Sequence, residues 1–134
     1  MCKRKMLFFV VFIFSMTTLA GCIGNTNTVE TCVLSNVEYN DKAELESAKQ
    51  PERFAAGSAI YASVRFIESP LGMEYTGKWF INDNEIKTET KAMVTNRCGI
   101  IIFPLEADRV TAGKIRFEIR YGDDVLFSKE LSVQ

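Results

Sequence analysis

The chain has 134 residues, 47% hydrophobic and 25% charged, with a formal net charge of −1. That length fits one domain behind a short leader, and the balanced charge lacks the basic stripe of a nucleic-acid-binding surface. There is no histidine, which excludes Ser-His-Asp and Cys-His catalysis and His-ligated zinc sites.

The chain opens with Lys3, Arg4 and Lys5, then an unbroken apolar run over residues 6–14, then more polar residues 15–18. This layout is that of a secretory signal. The basic start stays on the cytoplasmic side while the apolar run enters the bilayer. Leu19-Ala20-Gly21-Cys22 follows. It resembles the bacterial lipobox. The resemblance implies cleavage before Cys22, with Leu19, Ala20 and Gly21 as the recognised segment and diacylglycerol on the Cys22 sulfur. The competing reading is an uncleaved anchor, because residues 6–23 approach the length that spans a bilayer. Ile23 follows the cysteine, at a position where Asp would resemble an inner-membrane retention signal, so the expectation leans toward the outer membrane if the source has one. The expected location is therefore extracytoplasmic, lipid-anchored to the cell membrane or outer membrane.

The expected organisation is a signal peptide over 1–21, a lipidated Cys22 with a flexible polar tether over 22–31, and a folded domain over 32–134. Loss of the leader's three basic residues leaves 13 basic against 17 acidic in the rest. Cys32 and Cys98 remain as a pair. Outside the cytosol they form a candidate disulfide. It would close a loop of about 66 residues, worth roughly 4 kcal/mol on the chain-entropy view. Two unrelated thiols are the alternative.

In chain order, residues 32–39 have strand composition. Residues 41–49 hold helix formers behind Asp41, a capping residue, and predict one or two helical turns that Pro51 ends. Residues 58–67 alternate, with Ile60, Ala62, Val64 and Phe66 on one face and Tyr61, Ser63 and Arg65 on the other. Residues 69–72 predict a turn. Residues 73–81 alternate again, with Met73, Tyr75, Gly77, Trp79 and Ile81 sharing a face. Asn82-Asp83-Asn84 predicts a hairpin turn. Residues 85–93 place Glu85, Lys87, Glu89 and Lys91 on one face, as on an exposed edge strand. Residues 99–105 form a buried strand. Residues 114–121 point Ile115, Phe117, Ile119 and Tyr121 inward. Gly122-Asp123-Asp124 predicts a tight turn. Val125, Phe127, Leu131 and Val133 then keep one parity, and Lys129 breaks it, which predicts a bulge or a snorkelling lysine. About seven strands with frequent turns predict an all-β antiparallel sandwich.

The order of these features resembles bacterial immunoglobulin-like domains over residues 56–133. The residues are Gly57-Ser58-x-Ile60-Tyr61, Gly77-Lys78-Trp79, Ala112-Gly113 ahead of Phe117, Gly122-Asp123, and a last strand from Phe127 to Val133. The resemblance implies that Trp79 packs between two sheets and that Ala112-Gly113 leads into the penultimate strand. The chain departs from antibody domains in having no cysteine on the Ile60 or Phe117 strands, and it has Ile115 where a corner tyrosine is common. Domains of this kind mostly bind or support, and the fold alone implies no chemistry.

Tyr61 and Phe80 lie off the apolar faces and form a candidate partner patch, unless the tether or residues 41–49 cover them. Asp83-Asn84-Glu85 and Asp123-Asp124 are better explained as turns than as calcium sites. Lys114, Arg116 and Arg120 read as a solvated face that Glu118 interrupts. Ser58 and Ser69 have no adjacent base. No catalytic residue, metal or cofactor is expected. The expected function is a lipid-anchored envelope protein that binds a protein or polymer partner, or supports an envelope complex, without nucleic acid. The alternatives are a small-ligand-binding module and a histidine-independent hydrolase.

Overall fold

A computed structural model describes residues 28–134. The leader, Leu19 to Gly21, Cys22 and most of the expected tether lie outside the described residues. The first strand, β1, spans Val29–Ser35. The domain therefore starts three residues ahead of the expected boundary at 32.

The helix α1, Lys42–Ser47, follows, with the Asp41 carboxylate accepting from the Glu44 N–H. β2 is Arg53–Phe54, β3 Ile60–Ser69, β4 Glu74–Ile81, β5 Asn84–Ala92 and β6 Arg97–Leu105. A 3-10 turn over Ala107–Arg109 leads to β7, Gly113–Tyr121, and β8, Asp124–Val133. Among the described residues the strands form two sheets, one ordered β1-β3-β6 and the other β2-β8-β7-β4-β5. The expected sandwich is present. One pairing is parallel rather than antiparallel: β2 runs alongside β8. Two residues are too few to show a strand period. The strand forms because the chain returns along the free edge of β8, where Phe54 is buried and its carbonyl accepts from Gln134 N–H.

The alternating residues close the core as their spacing predicts. Ile60, Ala62, Val64 and Phe66 of β3 face Trp79 of β4 and Ile115, Phe117 and Ile119 of β7, all at most 1% exposed. Trp79 sits 4.6 Å from Phe117, ring to ring, and Phe117 meets Phe103 of the facing sheet at 5.7 Å. Fully burying a side chain of this size contributes about 1.5–3 kcal/mol. The hairpin between β4 and β5 turns on Asn82 and Asp83, both with positive φ, as a two-residue turn of matching twist requires. Gly113 opens β7 at φ +140, and a Cβ there would meet the Asn82 amide at 2.6 Å. That close approach lets Asn82 Oδ1 accept from Lys114 N–H at 3.0 Å.

Three local expectations change. A register shift between Ile119 and Arg120 sets Phe127 opposite Ile119 but Val125 opposite Arg120. Val125 therefore leaves the inner face and is 48% exposed, and Tyr121, at the strand's end, is 46% exposed. The bulge thus lies ahead of Lys129, which faces inward opposite Phe117 and snorkels to the Cys32 carbonyl and Gln50 Oε1. On β5, a shift between Trp79 and Phe80 places Lys87, Glu89 and Lys91 opposite Trp79, Gly77 and Tyr75. Those charges point toward the facing sheet, not outward.

The Cys32–Cys98 pairing is also corrected. Cys32 is a free buried thiol. Cys32 on β1 is opposite Val64, while Cys98 on β6 is opposite Ile67 on the other side of β3. Two strand spacings, about 9–10 Å, separate those strands, beyond the ~7 Å that a disulfide can bridge between alpha carbons.

Candidate functional site

Tyr61 lies on β3 in the smaller sheet, and Phe80 on β4 in the larger. Each points away from the core, so they occupy opposite outer faces of the sandwich. The joint Tyr61–Phe80 patch is thereby overturned. The physical reason is the connection over residues 70–73, which crosses between sheets, so β3 and β4 are not ladder neighbours. Tyr61 is half-buried between Ser35 and Pro104 in register.

Phe80 belongs to a polar surface on the larger sheet. The Arg116 guanidinium stacks over its ring at 4.1 Å. Arg116 also donates to Asp83 at 2.6 Å and to Glu118 at 3.2 Å. Hydrogen bonding to Asp83, above all, raises its pKa further. Glu118 is 9% exposed and accepts a second arginine, Arg120, through two nitrogens at 3.0 and 2.9 Å. The arrangement follows from strand periodicity: residues 116, 118 and 120 share one face, and a carboxylate between two guanidiniums satisfies both. Glu118, which interrupts the basic face along the sequence, is the group that holds that face together. Nearby, Lys78 donates to Glu85 at 3.2 Å. Asp83 and Glu85 are thus engaged by cations in the same sheet.

A second feature is an open groove of about 660 Å³ between β5 and the 3-10 turn, lined by Glu85, Lys87, Thr88, Glu106, Asp108 and Arg109. Lys87 spans its floor to Glu106 at 2.8 Å and to the Pro104 carbonyl at 2.7 Å. The Lys87 hydrogen bond lowers the Glu106 pKa, and Thr88 followed by Lys78 lowers that of Glu85. Both carboxylates are held ionised, the opposite of the raised pKa that a general acid needs near neutral pH.

The remaining candidates are dispersed. Ser69 is buried and shares a 2.6 Å hydrogen bond with the Tyr75 hydroxyl. Trp79 is core, 1% exposed. Among the described residues, no three His, Cys, Asp or Glu side chains gather in a metal-binding group. None of their helices is long and apolar enough to cross a membrane.

No family model matches the sequence, and no curated protein matches it. Solved structures do. An immunoglobulin-like protein from Pseudomonas aeruginosa superposes with a TM-score of 0.52 at 11% identity, covering 81% of this chain and 95% of its own. The CARDB domain of a Pyrococcus furiosus protein, solved in complex with di-metal ions, gives 0.44 at 11% identity, covering 82% and 97%. With the two-sheet topology, the first of these defines the class: the described residues form a single immunoglobulin-like β-sandwich. At that identity the likeness is one of fold.

Proposed function

We propose that the chain is a lipoprotein, tethered through Cys22 on the outer side of a bacterial membrane, whose immunoglobulin-like domain binds an envelope protein or polymer without catalysis. The observation that carries this reading is Leu19-Ala20-Gly21-Cys22 behind a basic and apolar leader, placed just ahead of a domain of a binding class. The surface assigned to the partner is the outer face of the larger sheet. Phe80 and Arg116 are held there by Asp83 and Glu118 before any partner arrives. Side chains already fixed lose less entropy on binding, and aromatic and arginine residues dominate binding energy at interfaces.

The small-ligand alternative has less support. The core is filled by Trp79, Phe103 and Phe117, and the groove beside β5 is open and charged, unlike the enclosed apolar pockets that hold small molecules. The hydrolase alternative has as its best candidates two carboxylates that cations or hydroxyls keep ionised.

Intact-mass analysis of the protein extracted from native membranes tests the anchor. The expected chain begins at Cys22 and carries diacylglycerol, and Cys22→Ser abolishes both processing and fatty-acid labelling. A chain that begins at Met1, or one with Cys22 in a disulfide, overturns the reading, since one sulfur cannot hold both bonds. Crosslinking on membranes tests the face: Phe80→Ala with Arg116→Ala should remove crosslinked species that Tyr61→Ala retains.

A further inference from the structure

We infer that the end of the sandwich bearing Leu71 and Val94 rests against the lipid surface. This deepens the lipid-anchor reading and depends on it. Five large apolar side chains are strongly exposed among the described residues, and four of them lie at one pole: Leu71 at 62%, Val94 at 81%, Tyr121 at 46% and Val125 at 48%. The fifth, Val37, follows the far end of β1. That a single end collects them is the first observation, since scattered single residues would need no explanation.

The second is where the described chain starts. Thr28 lies at this same pole, its carbonyl accepting from the Ile67 N–H at 2.9 Å, four residues before Leu71. The six residues 23–28 reach at most roughly 20 Å when extended. An acylated Cys22 therefore keeps this pole, rather than the opposite one with Ala107 and the Asn82–Asp83 hairpin, next to the bilayer.

The third is that the loop tips are built, not loose. Gly72 N–H donates to the Met93 carbonyl and Met93 N–H to the Met73 carbonyl, both at 2.9 Å. Leu71 N–H donates to Asn96 Oδ1 at 3.1 Å, and Thr95 Oγ1 to the Cys98 carbonyl at 2.6 Å. The two loops are thus fastened to each other while Leu71 and Val94 project outward. Charge at this pole has an acidic excess, Glu68, Glu74, Asp123 and Asp124 against Arg97 and the Glu118-bound Arg120, which would not draw it to anionic headgroups. The contact is apolar and needs no anionic lipid.

The test uses the mature acylated protein, reconstituted in phosphatidylcholine vesicles with brominated acyl chains. Leu71→Trp and Val94→Trp report one pole and Ala107→Trp the other, with the buried Trp79 signal subtracted as a common background. The expected result is several-fold stronger bromine quenching at 71 and 94 than at 107. Equal quenching at both poles, in a protein that is acylated and floats with the vesicles, overturns this inference alone. A chain without acyl mass that fails to float overturns the anchor and this inference with it.

Discussion

Lys91 donates from Nζ to the Ile102 carbonyl oxygen at 2.6 Å, joining the edge strand of one sheet to the edge strand of the other. Lys87 does the same to Pro104 at 2.7 Å, and on the opposite open side Lys129 reaches the Cys32 carbonyl at 3.4 Å. Edge strands leave alternate carbonyls without ladder partners. Here inward-facing lysines of the larger sheet supply donors to those of the smaller one. Each stem lies along the apolar core while the ammonium stays at the rim.

Lys87→Leu with Lys91→Leu should therefore have two effects. The uncapped carbonyls lower stability by about 1–3 kcal/mol, the range for acceptors left without a partner. The loss of inward charge also leaves β5 able to pair with another copy. Sedimentation velocity on the doubly substituted protein should show concentration-dependent association. A strictly monomeric variant would show that the lysines do not guard this edge.

Gly77 makes room for an aromatic ring from the facing sheet. A Cβ at this position would lie 2.6 Å from Phe103 Cδ1 and 2.9 Å from Cγ. Gly77→Ala ordinarily gains up to ~1 kcal/mol by restricting the unfolded chain. Overpacking a fixed ring costs about 1–3 kcal/mol, and Phe103 is wedged against Phe117, so the cost should win. The urea midpoint should fall in Gly77→Ala and recover in part when Phe103→Leu is added. A rise in the midpoint of the single variant would mean that the Phe103 ring yields to the added methyl group.

Much of this core was legible because alternation reports burial directly. Ile60 to Phe66, Tyr75 to Ile81 and Ile115 to Ile119 each read correctly with no tertiary information. What was not legible depends on where a register slips. A one-residue bulge reverses every side chain beyond it, and that is why Val125 turned outward. The role of Lys87 and Lys91 was hidden for a related reason: a charged alternating strand looks the same whether its charges face solvent or an open seam. Strand partnership was the third blind spot. A short turn between β3 and β4 suggested adjacency, and only the sheet assignment separates Tyr61 from Phe80. Glu118 carried a readable signal, a carboxylate two residues from an arginine on either side of the same strand face.

Glu118→Ala leaves Arg116 and Arg120 as like charges side by side on a packed sheet, with no carboxylate between them. The expected loss is about 1–3 kcal/mol, reflecting unsatisfied donors as well as repulsion. Because the face is partly solvated, added salt should restore some of it by screening. Adding Arg120→Ala to Glu118→Ala should cost less than the two single losses summed. Strict additivity in a thermal or urea melt would mean that the pair is not coupled.

Cys32 sets the response to alkaline pH. Burial pushes its thiol from 9.0 up to about 12, with nearby Lys129 opposing. The folded chain thus keeps a proton that the unfolded chain gives up above about 9. Stability from this group is complete below that value and is lost as pH rises toward the folded value. One such group contributes a slope of ~1.4 kcal/mol per pH unit in that interval. Lysines and tyrosines titrate there too, so the comparison is with Cys32→Ala, measured by urea unfolding at pH 8, 9, 10 and 11. The native protein should lose stability more steeply than Cys32→Ala between pH 9 and 11, although it is the more stable of the two at pH 8. A thiol reagent at pH 8 should leave Cys32 unmodified in the folded protein and label it in urea. Parallel stability curves, or prompt labelling of the folded chain, would mean that the Cys32 thiol is open to solvent and that the β1 side of the sandwich is not closed by Gln50 and Lys129.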